Sequence, residues 1–310
     1  MTSTDRAPAI GIDIGGTKIA AGIVQQHGTV TRVVRAATPS EGGQAVLDTA
    51  ADLVRELTAQ DDVAGIGVGA PGIIDPIHGV VRSATDIVPG WAGVAVCAGL
   101  RRRTGLPVAV DNDVRAMALG ESAAGAGKNR TDVLHVSVGT GIGGALVRSG
   151  RLVRGGHGST GEIAHLLVPA AGRIPCGCGR HDHLEAVAAG PAIAAEYTAR
   201  SGSTEMIDLP DVVSRMRAGD HHARTAITTA ATLLGRCLAG VVTAFDLDAV
   251  IIGGGAAQIG ADFLRPLTTA LDGEVRPPGR AAPVLPATLG THAPIIGAAL
   301  LASEANTERN

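Results

Sequence analysis

The chain of 310 residues is nearly devoid of aromatic side chains, with one Trp, one Tyr and two Phe. This argues against a nucleic-acid surface built from stacking platforms. Positive charge is not in excess either: the formal net charge is −3, so a broad basic footprint is lacking. The one basic run, Arg101-Arg102-Arg103, reads as the solvated end of a helix. The opening stretch, MTSTDRAPAIGIDIGG, has no basic region followed by an apolar one and is not expected to be a signal peptide. The apolar segment Ala293 to Ala302 is shorter than the roughly 20 residues that cross a bilayer. The expectation is a cytoplasmic protein with neither nucleic acid nor membrane as partner. Four cysteines do not make a disulfide framework, and Cys97 and Cys237, alone in apolar surroundings, read as core thiols.

Hydrophobic residues are plentiful, at 45% of the chain, and mostly aliphatic. Residues 8–14 read as a buried strand, followed by Gly15-Gly16-Thr17 and a second strand over 19–24. A third strand is expected over 29–38, an amphipathic helix over 44–60 and a strand over 63–68 that ends in Gly69-Ala70-Pro71-Gly72. A helix over 95–104 and a strand over 107–110 lead to Asp111-Asn112-Asp113. The pattern then recurs: a helix over 114–124, a strand over 133–138, a glycine turn over 139–144 and a strand over 145–148. Helices are expected over 186–200 and 223–243, and the strand 249–252 ends in Gly253-Gly254-Gly255. The last residues, SEANTERN, read as a frayed tail. Two halves with one pattern imply two related α/β domains and a cleft.

The turns Asp13-Ile14-Gly15-Gly16-Thr17-Lys18 and Gly139-Thr140-Gly141-Ile142-Gly143-Gly144 both join strands. Glycine permits positive φ and close approach of N–H groups to a ligand, and an array of amides suits phosphate. Either turn alone reads equally well as an ordinary hairpin; two at matching places are harder to dismiss. Asp13, at a strand end, could hold hydrated magnesium. Asp111, Asn112 and Asp113 could all cap the following helix.

These motifs, with Gly161-Glu162 and Pro175-Cys176-Gly177-Cys178-Gly179, resemble the ROK family of sugar kinases and repressors, within the actin-like ATPase superfamily. The resemblance runs from Gly11 to about Ala302. It implies two actin-like (ribonuclease H-like) domains: residues 1–112, joined by a C-terminal helix over 294–303, and a larger domain over 113–293 carrying a zinc motif over 165–183. ATP with Mg2+ would be bound by Asp13, Gly15, Gly16, Thr17, Lys18, Gly139, Thr140, Gly141, Gly143, Gly254 and Gly255. Asp113 would be the catalytic base, taking a proton from the attacking hydroxyl. Asn112, Asp113, Glu162, His165 and Glu185 would bind sugar hydroxyls, with Gly72 and Asp86 completing the set. Asp86 stands near a position where the family often has Asn, and an acid there would favour an amino sugar. Ala164 stands where the family commonly has Gly.

The family's metal motif has a third Cys where this chain has His183, and Gly where it has Asp182. Imidazole can replace thiolate on zinc. The ligands implied are His165, Cys176, Cys178 and His183, with His181 as alternate, holding a structural Zn2+. Asp182 would have to accept a positive φ, which Asp tolerates better than most residues. The activity implied is ATP-dependent phosphorylation of a hexose such as glucose. The alternative is an amino sugar such as kanosamine, N-acetylmannosamine or N-acetylglucosamine. A repressor would need a DNA-binding domain ahead of the first strand, for which no room is seen, and a non-catalytic sensor would not need Asp113. The resemblance also implies a homodimer.

Overall fold

The computed structural model describes residues 7–168, 173–276 and 282–307. The chain divides into two compact units, the described residues of Met1–Asn129, Gly150–Leu152 and Thr288–Asn310 forming one, and those of Arg130–Ser149 and Val153–Ala287 the other. The expected boundary at 112/113 thus falls inside the first unit. The reason is the helix after it, which packs on the C-terminal helix of that unit.

The first unit holds strands β1 (Ala9–Ile14), β2 (Lys18–Val24), β3 (Val30–Ala37) and β4 (Ile66–Ala70), the short hairpin β5 (Ile73–Asp75) and β6 (Val80–Ser83), and β7 (Val108–Asn112). Its helices are α1 (Gly43–Thr58), α2 (Val96–Thr104), α3 (Asp113–Ala124) and, from the far end of the chain, Ala293–Thr307. The sheet order is β3-β2-β1-β4-β7, with β1 antiparallel to β2 and parallel to β4. Strand alternation gives this sheet two unlike faces. Ile10, Ile12, Ile14, Ile66, Val68, Val108 and Val110 join α1 and α2 in one apolar core. The opposite face carries Gly11, Gly67 and Gly69. A Cβ on Gly11 would lie 1.8 Å from the Ile295 carbonyl oxygen, and one on Gly67 would lie 1.6 Å from that of Ala298. The C-terminal helix therefore meets the strands backbone to backbone. It meets α3 in the same way, since a Cβ on Gly297 would lie 1.6 Å from the Ala116 carbonyl.

The second unit holds α4 (Glu185–Ala188), α5 (Gly190–Ser201), α6 (Leu209–Arg217), α7 (His221–Phe245), α8 (Ala261–Glu274) and strands β8 (Asp132–Val138), β9 (Ile142–Arg148), β11 (Ala249–Gly253) and β12 (Val284–Pro286), and β10 (Arg151–Val153) is an edge strand of its sheet. In this numbering the C-terminal helix Ala293–Thr307 is α9. The second sheet runs β10-β9-β8-β11-β12, and its central strand β8, like β1 in the first, is antiparallel to one neighbour and parallel to the other. This is the two-fold α/β repetition that the sequence pattern implied. Of the described helices, α7 alone is long and apolar enough to cross a membrane by length and composition, and its Ala223, Ile227, Leu234 and Leu238 lie in the core of the unit.

Several boundaries differ from the sequence expectation for local reasons. The helix expected over 186–200 is broken at Ala189, which is extended, because Pro191 fits only the first turn of a helix. Strand β7 continues two residues further, through Asn112. Helix α9 runs to Thr307, into the tail expected to fray, and residues 308–310 of that tail lie outside the described residues. The hairpin β5–β6 is clasped by Asp75, which accepts hydrogen bonds from Arg82 and from the Ile77 and His78 amides, a side-chain pattern that periodicity does not reveal.

Glu121 is a buried carboxylate at the end of α3. It accepts N–H bonds from Ala126 (2.9 Å), Thr288 (2.9 Å) and Leu289 (2.7 Å), and so ties the segment after α3 to the one before α9. Glu121→Ala would leave three amides without their acceptor and should lower stability by about 2–3 kcal/mol. Gly67→Ala should destabilise by about 3 kcal/mol or prevent folding, since no side-chain movement relieves a clash with a carbonyl. Urea unfolding of both variants checks these expectations; a loss below about 1 kcal/mol in either would contradict the packing account.

Candidate active site and metal centre

In the first unit the glycine-bearing face of β1 also carries Asp13, two residues beyond Gly11. The face of β4 that carries Gly67 carries Gly69, whose Cβ position lies 3.5 Å from the Asp113 Cα and 3.0 Å from the Ala116 Cβ. The small residue at Gly69 lets the first turn of α3 settle on the sheet. The start of α3 is then fixed by three consecutive polar residues. Asn112 is the N-cap: its Oδ1 accepts from the N–H of Val114 (3.0 Å) and of Arg115 (3.3 Å). Its Nδ2 donates to the Gly72 carbonyl (3.0 Å), which ties the cap to the turn after β4. One Nδ2 hydrogen remains for another acceptor. Asp111 is fully buried and pairs with the buried Arg115 guanidinium (3.2 Å). Asp113 accepts from the Val114 N–H (2.9 Å).

Asp13 and Asp113 interact electrostatically. Burial first, and then the neighbouring Asp113 charge, push the Asp13 carboxyl up to about 6, against the opposing pull of Lys18. Burial also raises Asp113, opposed by the N–H groups at the helix start and by Asn112. Two carboxylates held at strand and helix ends, both raised, mark a site that favours a cation or a proton. Gly72 has φ +97°, and a Cβ there would lie 2.4 Å from the Ser83 carbonyl. The single tryptophan, Trp91, is buried and donates from Nε1 to the Pro71 carbonyl (3.2 Å), bracing the same turn. Asp86 is exposed, and no hydrogen-bond or ion-pair partner faces it among the described residues.

The turn between β1 and β2 is held by a bond from the Gly15 N–H to the Lys18 carbonyl (3.0 Å) and by the Thr38 hydroxyl on the Gly15 carbonyl (2.6 Å). Positive φ, which glycine permits, is used in neither turn; Gly15, Gly16, Gly139, Gly141, Gly143 and Gly144 all lie outside the left-handed region. Close approach explains several of them. A Cβ on Gly16 would lie 2.3 Å from the Ile87 side chain, and one on Gly141 would lie 2.8 Å from Glu185 Oε2.

In the second unit the turn is shorter than expected. It comprises Gly139-Thr140-Gly141, and Gly143 and Gly144 belong to β9. Gly144 is small because the Gly161 carbonyl lies 2.5 Å from its Cβ position. That contact seats the Gly161-Glu162 turn on β9, with Gly161 at φ +93°. Gly254 has φ +78° and lies over the Val138 carbonyl, while Gly255 opens a short 3-10 turn. Ala164, buried in the 3-10 turn Ile163–His165, needs no positive φ, so its methyl group fits where the family often has Gly.

Past this turn lies a knuckle of side chains. His165, Cys176, Cys178 and His183 place one donor atom each within 4.8 Å of one another. The His165 and His183 Nδ1 atoms are 3.3 Å apart, and Cys178 Sγ is 3.2 Å from His183 Nδ1. Nitrogen ligands on a tetrahedral zinc would be about 3.3 Å apart, given metal–nitrogen distances of about 2.0–2.1 Å. Two sulfurs and two imidazole nitrogens at this spacing fit a four-coordinate metal. His181 lies outside the cluster, in a bridge to Pro175. Asp182 has φ +59°, the left-handed conformation expected of it, and its Oδ1 accepts from the Ile174 N–H (2.8 Å). The side chain that bears the positive φ thus also pins the loop. Cys97 and Cys176 are buried, Cys237 is half-buried and Cys178 is exposed.

Glu185 begins α4, two residues after His183. Its Oε2 accepts from the Ile142 N–H (3.0 Å), at the exit of the Gly139–Gly141 turn. Sequence reasoning placed Glu185 only with the sugar-binding residues and missed this bond. It also missed Arg115 and Glu121, whose roles rest on burial.

The pattern of the ROK family matches residues 9–305. The chain is 32% identical over 316 residues to a glucokinase of Halalkalibacterium halodurans, covering 95% of this chain and 94% of the relative. It is similar to the crystal structure of a ROK hexokinase from Thermus thermophilus, with TM-score 0.88, 35% identity, and coverage of 97% of this chain and 99% of that one. A ROK glucokinase from Streptomyces griseus, solved with glucose and AMPPNP, is similar with TM-score 0.81 and 32% identity over 96% of this chain and 99% of that one. With matches over nearly its whole length to a family pattern, to a relative and to solved structures, the chain belongs to the ROK family.

Proposed function

We propose that this chain is an ATP-dependent sugar kinase that transfers the γ-phosphoryl group to a hydroxyl, the 6-hydroxyl, of a hexose such as glucose. The observation that carries the reading is the start of α3. Asn112 caps the helix, and Asp113 stands beside Asp13 with its carboxyl raised by burial. Asp113 accepts the hydroxyl proton as the sugar oxygen bonds to the γ-phosphorus and the bond to the β-phosphate oxygen breaks, releasing ADP. A raised carboxyl is a stronger base than an ordinary one, and phosphoryl transfer demands mainly position and charge stabilisation. Asp13 would hold the hydrated magnesium that accompanies ATP. Among the described residues, the N–H groups of Gly16 and Thr17 in one turn and of Thr140 and Gly141 in the other have no protein acceptor, which leaves them for phosphate oxygens.

Asn112, with its remaining Nδ2 hydrogen, and the Gly72 turn would contact the sugar, and the family resemblance gives Glu162 and His165 sugar hydroxyls as well. His165 turns Nδ1 to the knuckle, so Nε2 is left for a hydroxyl. The knuckle would hold a structural zinc through His165, Cys176, Cys178 and His183; bound there, the metal would lock the His165 ring. A second reading, phosphorylation of an amino sugar, rests on Asp86, an exposed carboxylate with no partner among the described residues, which could face an ammonium group.

An ATP-coupled assay over hexoses and aminohexoses tests both readings. Asp113→Asn should lower kcat at least about a hundredfold with little change in sugar KM; full activity in that variant overturns the mechanism. Asp86→Ala should shift preference from amino sugars toward glucose, and an unchanged ratio removes the second reading. Binding of a magnesium–nucleotide complex should weaken as pH falls through about 6, as Asp13 takes up a proton. Because the Asp113 charge helps to raise Asp13, the midpoint should move to lower pH in Asp113→Asn. Metal analysis should find one zinc per chain, and none in Cys176→Ser with Cys178→Ser; activity unchanged in the zinc-free protein would contradict the metal's positioning role.

A further inference from the structure

The resemblance assigns Glu185 to the sugar, but the geometry points to another partner. Its Oε2 is 3.0 Å from the Ile142 N–H and lies against Gly141, where a Cβ would come within 2.8 Å of it. The other side of the same turn is gripped by the same segment of chain: the Gly190 N–H donates to the Gly139 carbonyl (2.8 Å), with no room for a Cβ on Gly190, which would lie 2.9 Å from that oxygen. Within the turn, the Gly139 N–H donates to the Gly141 carbonyl (2.9 Å). The stretch from Glu185 to Gly190 therefore holds Gly139–Ile142 at both ends. This stretch is itself anchored at the knuckle, since the N–H of Leu184 donates to the Leu166 carbonyl (2.9 Å), next to His165.

We propose that Glu185 is a positioning residue for the nucleotide: by holding the Ile142 amide it sets the shape of the Gly139–Gly141 turn and the aim of the Thr140 and Gly141 N–H groups. The proposal rests on the kinase reading, which makes this turn a phosphate-binding one. It requires an acceptor at this point and no charge, because a carboxylate beside phosphate oxygens repels them. A neutral acceptor of the same shape serves equally well. The sugar assignment makes the opposite demand, since a carboxylate is the stronger acceptor of a hydroxyl hydrogen.

The test is the affinity for a non-hydrolysable ATP analogue with magnesium, measured by calorimetry without sugar, on protein of verified zinc content and melting temperature. Glu185→Ala should weaken nucleotide binding about tenfold, the loss of roughly one well-made hydrogen bond. Glu185→Gln, whose amide oxygen can accept from Ile142, should bind the nucleotide within about threefold of the wild type, or more tightly. Gly141→Ala displaces the carboxylate and should weaken binding in the wild-type background, with little further loss when combined with Glu185→Ala. Unchanged nucleotide affinity in Glu185→Ala, with loss confined to the sugar, overturns the proposal and leaves the kinase reading intact. If Glu185→Gln loses as much nucleotide affinity as Glu185→Ala, the acceptor account fails too. Wild-type protein that binds no nucleotide would instead overturn the kinase reading, and this proposal with it.

Discussion

The first unit depends on one constraint, the glycines that leave the middle of one face of its sheet without side chains. Helix α9 lies so close to β1 and β4 that a single methyl group on Gly11 or Gly67 would occupy the space of a carbonyl oxygen. The same closeness recurs between α9 and α3, at Gly297 against Ala116 and at Ala293 against Gly120. Three elements far apart in sequence are thereby stacked with backbone contact, where dispersion is strong and side-chain adjustment is absent. Asp13 and Asp113 are brought together as a result: one continues the glycine face of β1, and the other opens the helix that the glycines admit. A bulkier face would have left the core largely intact on the Ile10–Ile12–Ile14 side and moved the carboxylates apart.

Much of this was legible in the sequence. The strand–glycine turn–strand pattern, repeated at Asp13 and at Gly139, identified the two units and the class of fold, because strand alternation and turn chemistry are local properties. The cap at Asn112 was legible for the same reason. What was not legible were the reasons for individual glycines. Gly16, Gly141 and Gly144 lie in or beside turns where glycine permits positive φ, yet each is small because another part of the chain lies over it. Sequence shows that a glycine is present; only the fold shows whether the backbone or a neighbour requires it. The division between units was misplaced for a related reason, since nothing local in 113–124 reveals that a helix from the far end packs on it.

The knuckle shows the opposite case, in which a departure from a family pattern is compensated locally. Where Gly would supply positive φ without strain, Asp182 adopts it at φ +59° and returns a side-chain hydrogen bond to the Ile174 amide. Asp is among the few residues that reach this region at modest cost, because the short carboxylate bonds to nearby backbone. The neighbouring exchange of thiolate for imidazole at His183 keeps a donor at the right distance from Cys178 and His165. Two substitutions side by side thus preserve both the loop and the donor set. The loop then continues directly into Leu184 and Glu185, so its shape bears on whatever Glu185 holds.

The paired carboxylates set a limit on how stable the protein can be at its working pH. An acid whose pKa in the folded chain is raised, as that of Asp13 is to about 6, carries a penalty when ionised. Below the ordinary carboxylate range both folded and unfolded chains are protonated and the penalty is absent. It grows as pH rises from that range to about 6 and is fully present above. Asp113 adds to it, since its carboxyl is raised by the same burial. A bound divalent cation would remove much of the repulsion and lower both pKa values, so the cost is greatest in the protein without nucleotide. The polar residues around the pair act in the same direction: Asn112 and the N–H of Val114 favour the ionised form of Asp113 and oppose the effect of burial. The backbone packing of α9 on α3 holds the Asp113 carboxylate in place against that repulsion.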